Sequence, residues 1–370
     1  MTTTYMTPAP PFSYTYTPNI PELLQGLNCS IAISTYQTGK VVIFSAKDAN
    51  QLIQLPRTFA KPMGMAKQGD KWAIATNDSV VVTGNAPGLA ANYAPNPNVY
   101  DSLYIPRASY YTGPLDMHDI HFTNEGLVGV NTAFSTLCKI DEDFSFKPIW
   151  TPKFISALKP EDRCHLNGLA LETESNKPKY ISALGQGDSH RSWKEGMLDG
   201  GVLIDIETDE IILSRLPVPH TPRIYGKELY MLLSATGELV KVNVQAGTYD
   251  IITKINGFAR GMDRIGDYLF IATSKLRPNS SLFKEAPVAK RSVNCGITVV
   301  YIPTGQPCGY INYQTSVEEL YDLILLEGNT RPNILNLEKG MHRTSVVTSD
   351  EVFWHNPEPE TQPETTTTAI

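Results

Sequence analysis

A degenerate internal repeat is the feature that most constrains how this chain can fold. Each unit begins with a short anchor, continues into an apolar run that ends in a small hydroxyl or amide residue, and reaches a second apolar run that closes on an acid or amide. The offset of fourteen positions between anchor and hydroxyl recurs in three units, at Pro62 and Thr76, at His220 and Ser234, and at Ala259 and Thr273. Such recurrence predicts a fold built from repeated supersecondary units.

The anchors follow one another at the spacing of propeller blades. They are Pro62, His118, His165, His220 and Ala259, at intervals of 56, 47, 55 and 39 residues (118 − 62, 165 − 118, 220 − 165, 259 − 220). A four-stranded propeller repeat has roughly 40 to 50 residues. Short runs rich in Val, Ile, Tyr and Thr, separated by Gly-containing turns, indicate strands joined by hairpins. Only residues 21–27 and 316–320 could hold a helical turn, so we predict an all-β fold.

The two ends of the repeat region complement each other. The first unit, around residues 30–45, has no anchor strand before it, and the last apolar run, residues 320–326, has no partner strands after it. Because an unpaired edge strand invites aggregation, the two are expected to pair. We therefore predict a six-bladed β-propeller in which a strand near residues 317–326 closes the blade that starts near Cys29. The predicted organisation is a flexible segment at 1–20, one propeller domain at 21–335, and a C-terminal extension and flexible tail at 336–370.

Composition argues against several classes of function. A formal net charge of −7 disfavours a nucleic-acid groove. No apolar run reaches the roughly 18 residues of a membrane-spanning helix, and the N-terminus lacks the basic and apolar regions of a secretory signal. The five cysteines are widely spread and include no CxxC pair, which fits a reducing compartment. We expect a cytoplasmic protein without nucleic-acid or membrane partners. The oligomeric state stays open.

Three of the seven histidines occupy the same repeat position. In a propeller, equivalent positions where the innermost strands begin converge at one mouth of the central channel. Imidazoles of His118, His165 and His220 would there offer nitrogen ligands to a divalent transition metal and leave positions open for water or substrate, as in catalytic zinc sites. Zinc is our first candidate, and iron or copper also suits imidazole. The alternative is that each histidine only hydrogen-bonds a neighbouring loop.

Four further polar residues complete the predicted site as candidate catalytic residues. Arg223 and Arg260 stand where apolar strand starts would be expected, so they could hold a substrate carboxylate or phosphate, or instead form salt bridges between blades. Glu319 is a candidate general base or fourth ligand, or else part of an exposed acidic turn. Asp119, like Asp116, is a candidate for orienting a ligand histidine through its second ring nitrogen, or for ordinary loop capping.

His121 competes with His118 for the ligand position. Residues i and i+3 of a strand face opposite sides, so the two cannot serve one ion from a single extended segment. The repeat register selects His118 and leaves His121 with a packing or supporting role. Asn167 is either a supporting residue or a turn residue. Tyr36 and Tyr225 are candidate phenolic proton donors.

Eight segments carry a resemblance to a known family. They read ISTYQTG at 33–39, LDMHDI at 115–120, PEDRCHLNGLA at 160–170, GGVLID at 200–205, PHTPR at 219–223, TGEL at 236–239, GFARG at 257–261 and SKLR at 274–277. Together they resemble an uncharacterised bacterial family of β-propellers with a domain of unknown function, over about residues 28–332. The resemblance implies a propeller and no particular reaction. Where the family motif reads Ser-Pro-Arg-Trp-His, this chain has Thr221-Pro-Arg-Ile-Tyr225, so the aromatic and histidine pair differs here.

A more distant, architectural similarity is to peptidyl-hydroxyglycine amidating lyase, a six-bladed propeller whose axial zinc is held by three histidines. Two functional hypotheses follow. The first is a metal-dependent enzyme acting on a small anionic or peptide-derived substrate, with lyase, hydrolase, isomerase and oxygenase chemistry all open. The second is a non-catalytic module whose propeller faces bind a peptide or protein partner. No Gly-x-Ser-x-Gly elbow, His-Glu-x-x-His helix or phosphate-binding loop occurs in the sequence.

Overall fold

Six sheets, each built around four antiparallel strands, are arranged in a ring and make up the body of the molecule. The computed structural model describes residues 9–276, 283–291 and 294–355. Each sheet is one blade, and the first strands of successive blades contact one another around the central channel. The predicted six-bladed β-propeller is therefore confirmed.

The strands of each blade run outward from the channel in sequence order, except that blade 1 takes its innermost strand from the C-terminal part of the chain. Blade 1 consists of Leu323–Glu327, Cys29–Thr35, Lys40–Ala46 and Leu52–Thr58. Blade 2 consists of Met65–Gln68, Lys71–Ala75, Ser79–Asn85 and Ser102–Tyr111. Blade 3 consists of Met117–Thr123, Gly126–Asn131, Thr136–Lys139 and Lys147–Trp150. Blade 4 consists of Leu166–Leu171, Pro178–Ala183, Gly201–Asp205 and Ile211–Leu216. Blade 5 consists of Pro219–Tyr225, Glu228–Leu233, Glu238–Asn243 and Thr248–Lys254. Blade 6 consists of Phe258–Ile265, Tyr268–Ser274, Cys295–Tyr301 and Gln306–Tyr313.

Blade 1 closes the ring as the sequence predicts. Its innermost strand, Leu323–Glu327, pairs antiparallel with Cys29–Thr35 in a register that sets Ile33 against Leu323 and Cys29 against Glu327. The apolar side chains of Leu323 and Leu325 are buried in a core between blades 1 and 6. Closure therefore joins the two ends of the domain through both backbone pairing and apolar packing.

Part of the N-terminal segment that we predicted as flexible is ordered. Tyr14–Tyr16 adds a fifth strand to the outer edge of blade 6 by pairing with Gln306–Tyr313. The ring of Tyr14 packs edge to face on Phe44 with centroids 5.2 Å apart, and its hydroxyl donates to the Leu52 carbonyl. These contacts lie far away in sequence, which is why composition alone indicated a flexible segment. Residues 1–8 of that prediction lie outside the described residues.

The C-terminal extension is folded against blade 2. Pro332–Ile334 pairs in parallel with Ser102–Tyr111, and a hairpin of Ser345–Val347 and Val352–Trp354 follows the 3₁₀ turn Met341–Thr344. Trp354 Nε1 donates to the carbonyl of Leu89, beside the short helix Pro87–Ala90. The extension thereby covers an outer sheet edge. The tail at 356–370, predicted to be flexible, lies outside the described residues.

One α-helix, Ile20–Gly26, precedes blade 1 where the sequence allowed a helical turn. Pro21 stands at its start, where the missing N–H costs no intrahelical bond. Ile20 and Leu24 are buried in the core between blades 1 and 6. Among the helices of the described residues there is no candidate for a membrane-spanning segment.

Two glycines allow the innermost strands to approach one another beside the channel. A Cβ at Gly168 would lie 2.7 Å from the Thr221 backbone nitrogen, and a Cβ at Gly261 would lie 2.7 Å from Cα of Asp322. Any other residue at these positions would push neighbouring blades apart. The close approach brings side chains from different blades together at the channel mouth.

Candidate functional site

A cavity of about 340 Å³ opens at the end of the channel where the innermost strands begin. Its walls include all three predicted ligand residues, His118, His165 and His220, from three successive blades. The rings of His118 and His165 meet edge to face with centroids 4.7 Å apart. The structure thus brings the repeated histidines to one cavity.

His118 is held by its Nδ1 atom. This nitrogen lies 2.7 Å from the Asp116 carbonyl oxygen and 2.8 Å from Thr132 Oγ1. The Thr132 hydroxyl gives its own hydrogen to the carbonyl of Leu166, at 2.6 Å. Both neighbours of Nδ1 must therefore accept, so Nδ1 carries the proton and Nε2 of the neutral ring keeps its lone pair.

His220, which lies two blades further on, is held in the same manner. Its Nδ1 lies 2.8 Å from Ser234 Oγ and 3.3 Å from the Val218 carbonyl oxygen. The Ser234 hydroxyl donates to the carbonyl of Ala259. The repeat offset of fourteen thus has a physical meaning, because the hydroxyl at that position fixes the tautomer of the histidine anchor.

His165 is held at Nδ1 by a carboxylate instead of a hydroxyl and a carbonyl group. Its Nδ1 lies 2.9 Å from Asp162 Oδ1, while Trp193 Nε1 donates to Asp162 Oδ2 at 3.0 Å. The Trp193 ring also packs on His165 with centroids 4.3 Å apart. Both His165 and Asp162 adopt left-handed backbone conformations, with φ of +51° and +47°. Such conformations cost free energy in non-glycine residues and cluster at functional sites.

Burial keeps two of the rings neutral. Burial, reinforced by the neighbouring His165, lowers the pKa of His118 to about 4. Burial and the positive charge of Arg260 lower the pKa of His220 well below its ordinary value. No residue that the structure describes forms a hydrogen bond with Nε2 of any of the three rings. The three Nε2 atoms are therefore available as acceptors or metal ligands.

The lowered pKa of His118 predicts a loss of stability in acid for the chelator-treated protein. The unfolded chain binds a proton near pH 6.5, whereas native His118 resists it down to about pH 4. The free energy of unfolding therefore falls as pH drops through this window, by about 3 kcal/mol from this group. Urea unfolding at pH 7.5 and 4.5 measures the loss. A His118→Gln variant with an undiminished pH dependence would contradict this assignment.

The imidazoles do not form a closed ligand set. Across residues 9–276, 283–291 and 294–355, no group of three His, Cys, Asp or Glu side chains is placed to hold a metal ion. A metal at this cavity would therefore require the rings to draw closer around it. Their side-chain anchors at Nδ1 are the type of support that metal-ligating histidines have.

Arg260 lies in the same cavity without an acidic partner. Its guanidinium stands over three aromatic rings at 5.3 to 5.7 Å from their centroids, those of Phe258, Tyr321 and Tyr36. Burial lowers its pKa. No carboxylate of the described residues forms an ion pair with it. A buried cation that lacks a counter-charge is a strong candidate for binding an anion.

Arg223 and Asp119 lie deeper in the channel and bind each other. Arg223 Nη1 lies 2.8 Å from Asp119 Oδ2, and Nη2 lies 3.1 Å from Oδ1, a bidentate bridge between blades 5 and 3. His121 Nε2 is 3.1 Å from Asp119 Oδ1. The guanidinium of Arg223 is therefore occupied by a protein carboxylate, and Asp119 contacts His121 rather than His118. Both Arg223 and His121 line a separate cavity of about 460 Å³ at the other end of the channel.

The remaining predicted residues differ in how close they lie to the histidine cavity. Glu319 accepts a hydrogen bond from the hydroxyl of Tyr36, which lines the cavity, and burial raises the pKa of Glu319. Asp116 pairs with Lys61 at 2.7 Å. The hydroxyl of Tyr225 is buried without a hydrogen-bond partner, away from the histidines.

Sequence reasoning missed four aromatic residues that line the cavity, namely Trp193, Phe258, Phe283 and Tyr321. Tyr321 stands directly before the closing strand, and its ring meets His118 with centroids 5.3 Å apart. Trp193 lies in the long loop of blade 4 between the strands Pro178–Ala183 and Gly201–Asp205. The interval of 55 residues between His165 and His220 exceeds the roughly 40 to 50 residues of a propeller repeat, and this excess length was the signal that could have located the loop. Nothing local indicated that the loop folds back over His165.

Comparisons with known proteins agree with the architecture. No curated protein matches the chain. A solved structure titled a crystal structure of a nidogen/laminin complex aligns with a TM-score of 0.51 at 9% identity, over 81% of this chain and 99% of that chain. At this identity the likeness shows the fold alone. The model of a domain of unknown function, DUF4915, matches residues 18–335, nearly the whole propeller. The chain therefore belongs to the DUF4915 family.

Proposed function

We propose that this propeller is a metal-dependent enzyme that acts on a small anionic substrate at the histidine cavity. His118, His165 and His220 serve as ligands of a divalent transition metal, with zinc first and iron or copper as alternatives. Lyase, hydrolase, isomerase and oxygenase chemistry remain compatible with this ligand set. A bound ion would polarise a carbonyl group or lower the pKa of bound water.

One observation carries the proposal. Three imidazoles from three blades line one cavity, and each is held at Nδ1 by a partner that leaves the Nε2 lone pair unused. A histidine with a purely structural role has no need to leave one nitrogen without a partner. Three such nitrogens at one repeat position favour a shared ligand over three separate loop contacts.

Other residues of the cavity have roles that follow from their contacts. Arg260 would bind the anionic group of the substrate. Tyr36 and Glu319 form a hydrogen-bonded pair beside Arg260, and burial raises the pKa of Glu319, which strengthens this carboxylate as a proton acceptor. The pair is our candidate for moving a proton. Arg223 and Asp119 would instead support the channel wall.

The compartment proposed is the bacterial cytoplasm. All five cysteines are free thiols, and four of them are buried. This usage fits a reducing environment.

Metal analysis of protein purified without a histidine tag tests the proposal. We expect about one divalent ion per wild-type chain and loss of that ion in the triple variant with His118, His165 and His220 changed to Gln. A triple variant with His121, His190 and His342 changed to Gln is the matched control, and it should keep the ion. Circular dichroism establishes that both variants are folded.

The competing hypothesis is a module that binds a peptide or protein partner and uses the histidines only structurally. The absence of a closed ligand set in the described residues is the observation that favours it. Equal trace metal in the wild type and both triple variants, after incubation with zinc and with iron(II), would overturn the metal proposal and leave this alternative.

A further inference from the structure

A second, much smaller void lies beneath the histidines. Its volume is about 10 Å³, close to what a single water-sized atom occupies. His118, His220, Asn167, Arg260 and Tyr321 are among the residues that line it. Because four of these also line the large cavity, the void is the inner end of the same site.

Two nitrogen donors at this void have no acceptor. The amide nitrogen of Asn167 and Nε of Arg260 are buried and form no hydrogen bond with any described residue. Asn167 is only 3% exposed. Buried donors without partners are rare and costly, so their presence together at one void calls for a bound acceptor. A single oxygen atom between them would satisfy both.

The charge around the void indicates which class of anion fits there. Arg260 supplies a largely buried positive charge at the void that no described carboxylate neutralises. In the outer cavity Lys61 is already paired with Asp116, and Arg191 and Lys194 are exposed to solvent. One unbalanced guanidinium at the void matches a monoanion. Asp322 also lines the void, and burial together with the nearby Asp119 raises the pKa of Asp322. Arg223 lines the void as well, but the Asp119 carboxylate already neutralises it, so Arg260 is the one uncompensated cation among the described residues of the void that could offset a dianion beside Asp322.

We propose that the inner void takes one carboxylate oxygen of the substrate, bound by Arg260 and Asn167, so that the enzyme acts on small carboxylic acids rather than phosphate esters. The rest of the acid occupies the 340 Å³ cavity, beside the histidine Nε2 atoms. A phosphate ester carries more negative charge at neutral pH than the one uncompensated guanidinium at the void offsets. The chemistry of the substrate rests on the proposed function, but carboxylate binding itself does not require the metal.

Ligand binding by the full chain tests this directly. The probes are glycolate, inorganic phosphate and chloride at equal ionic strength, with binding measured by calorimetry and by thermal shift. Each is applied to metal-loaded and to chelator-treated protein. We expect glycolate to bind both forms and phosphate to do no more than chloride.

Two substitutions separate the site from general electrostatics. Asn167→Leu removes the amide at nearly constant volume, and it should weaken glycolate binding at least about tenfold, because a hydrogen bond to a charged group is lost. The ligand-free midpoint of thermal unfolding should stay equal or rise, since an unsatisfied buried donor has been removed. Arg260→Lys should weaken binding similarly. Arg264→Lys is the control, because Arg264 lies on the same strand and also stands over two tyrosine rings, Tyr225 and Tyr230, outside the cavity.

Three results would overturn the inference. Glycolate binding that persists unchanged in Asn167→Leu and Arg260→Lys would place the anion elsewhere. Phosphate binding as tight as glycolate binding would remove the preference for carboxylates. A glycolate-soaked crystal in which the void holds an ordered water alone would leave the donors without an anion. If glycolate binds but a metal does not, the proposed metal-dependent enzyme is wrong and the carboxylate site remains. If a metal binds but glycolate does not, the carboxylate site is wrong and the proposed enzyme remains.

Discussion

A chain that ends at Gln314 is expected to lose its cooperative native fold. The truncation removes Leu323–Glu327, the innermost strand of blade 1, and leaves Cys29–Thr35 as an open edge beside the channel. It also removes Leu325, whose backbone N–H donates to Asp263 of blade 6. Because the ring depends on each blade contacting two neighbours, blades 1, 2 and 6 lose packing at once. Near-UV circular dichroism and gel filtration should report an expanded or aggregated chain.

A chain that ends at Asn336 is the matched control. It keeps the closing strand and Pro332–Ile334 and removes only the extension beyond, so cooperative unfolding should persist with a smaller loss of stability. In the full chain, Leu326→Ala should cost about 2 to 5 kcal/mol, since Leu326 is fully buried between blades. If the chain ending at Gln314 unfolded cooperatively with the midpoint of the full chain, closure would not hold the ring together.

Arg223→Met should destabilise the propeller by about 3 to 5 kcal/mol at pH 7. The substitution leaves the Asp119 carboxylate buried without its counter-charge, which is among the most costly single changes in a protein interior. In the wild type, the guanidinium of Arg223 lowers the pKa of Asp119, so the stability from the bridge is lost only below the pKa of about 4 that Asp119 has in the unfolded chain. In the variant, burial without the guanidinium would instead raise the pKa of Asp119, so protonation would relieve the stranded charge as pH falls. The difference between variant and wild type should therefore be largest at neutral pH and shrink toward pH 4. Urea unfolding at several pH values measures it.

Two comparisons make the result specific to the buried bridge. Asp199→Asn breaks the exposed bridge to Arg215, whose side chain is 80% exposed, and should change stability by less than about 0.5 kcal/mol. The double variant Arg223→Met with Asp119→Leu should recover much of the loss, because neither charge is then stranded. A double variant no more stable than Arg223→Met would show that the cost arises from packing instead.

Much of the site could be predicted because the repeat is a local property. The anchor and the hydroxyl fourteen residues later face each other across one hairpin, so their identity and spacing are encoded within a single blade. That pattern identified Ser234 together with His220 before any tertiary contact was known, and Thr132 stands at the same offset from His118. It also selected His118 over His121, and the structure places these two in different cavities. The metal itself stays a prediction.

The all-β class, the number of blades, the closing strand and the meeting of three histidines could all be predicted from the amino-acid sequence, because strand alternation, turn residues and repeat spacing are local patterns. The pairing of polar groups across the channel could not be predicted in this way. Arg223 binds Asp119 from a position 104 residues away, Trp193 folds over His165, and Tyr14–Tyr16 joins blade 6. These contacts depend on how blades are rotated against one another, and no local pattern encodes that rotation.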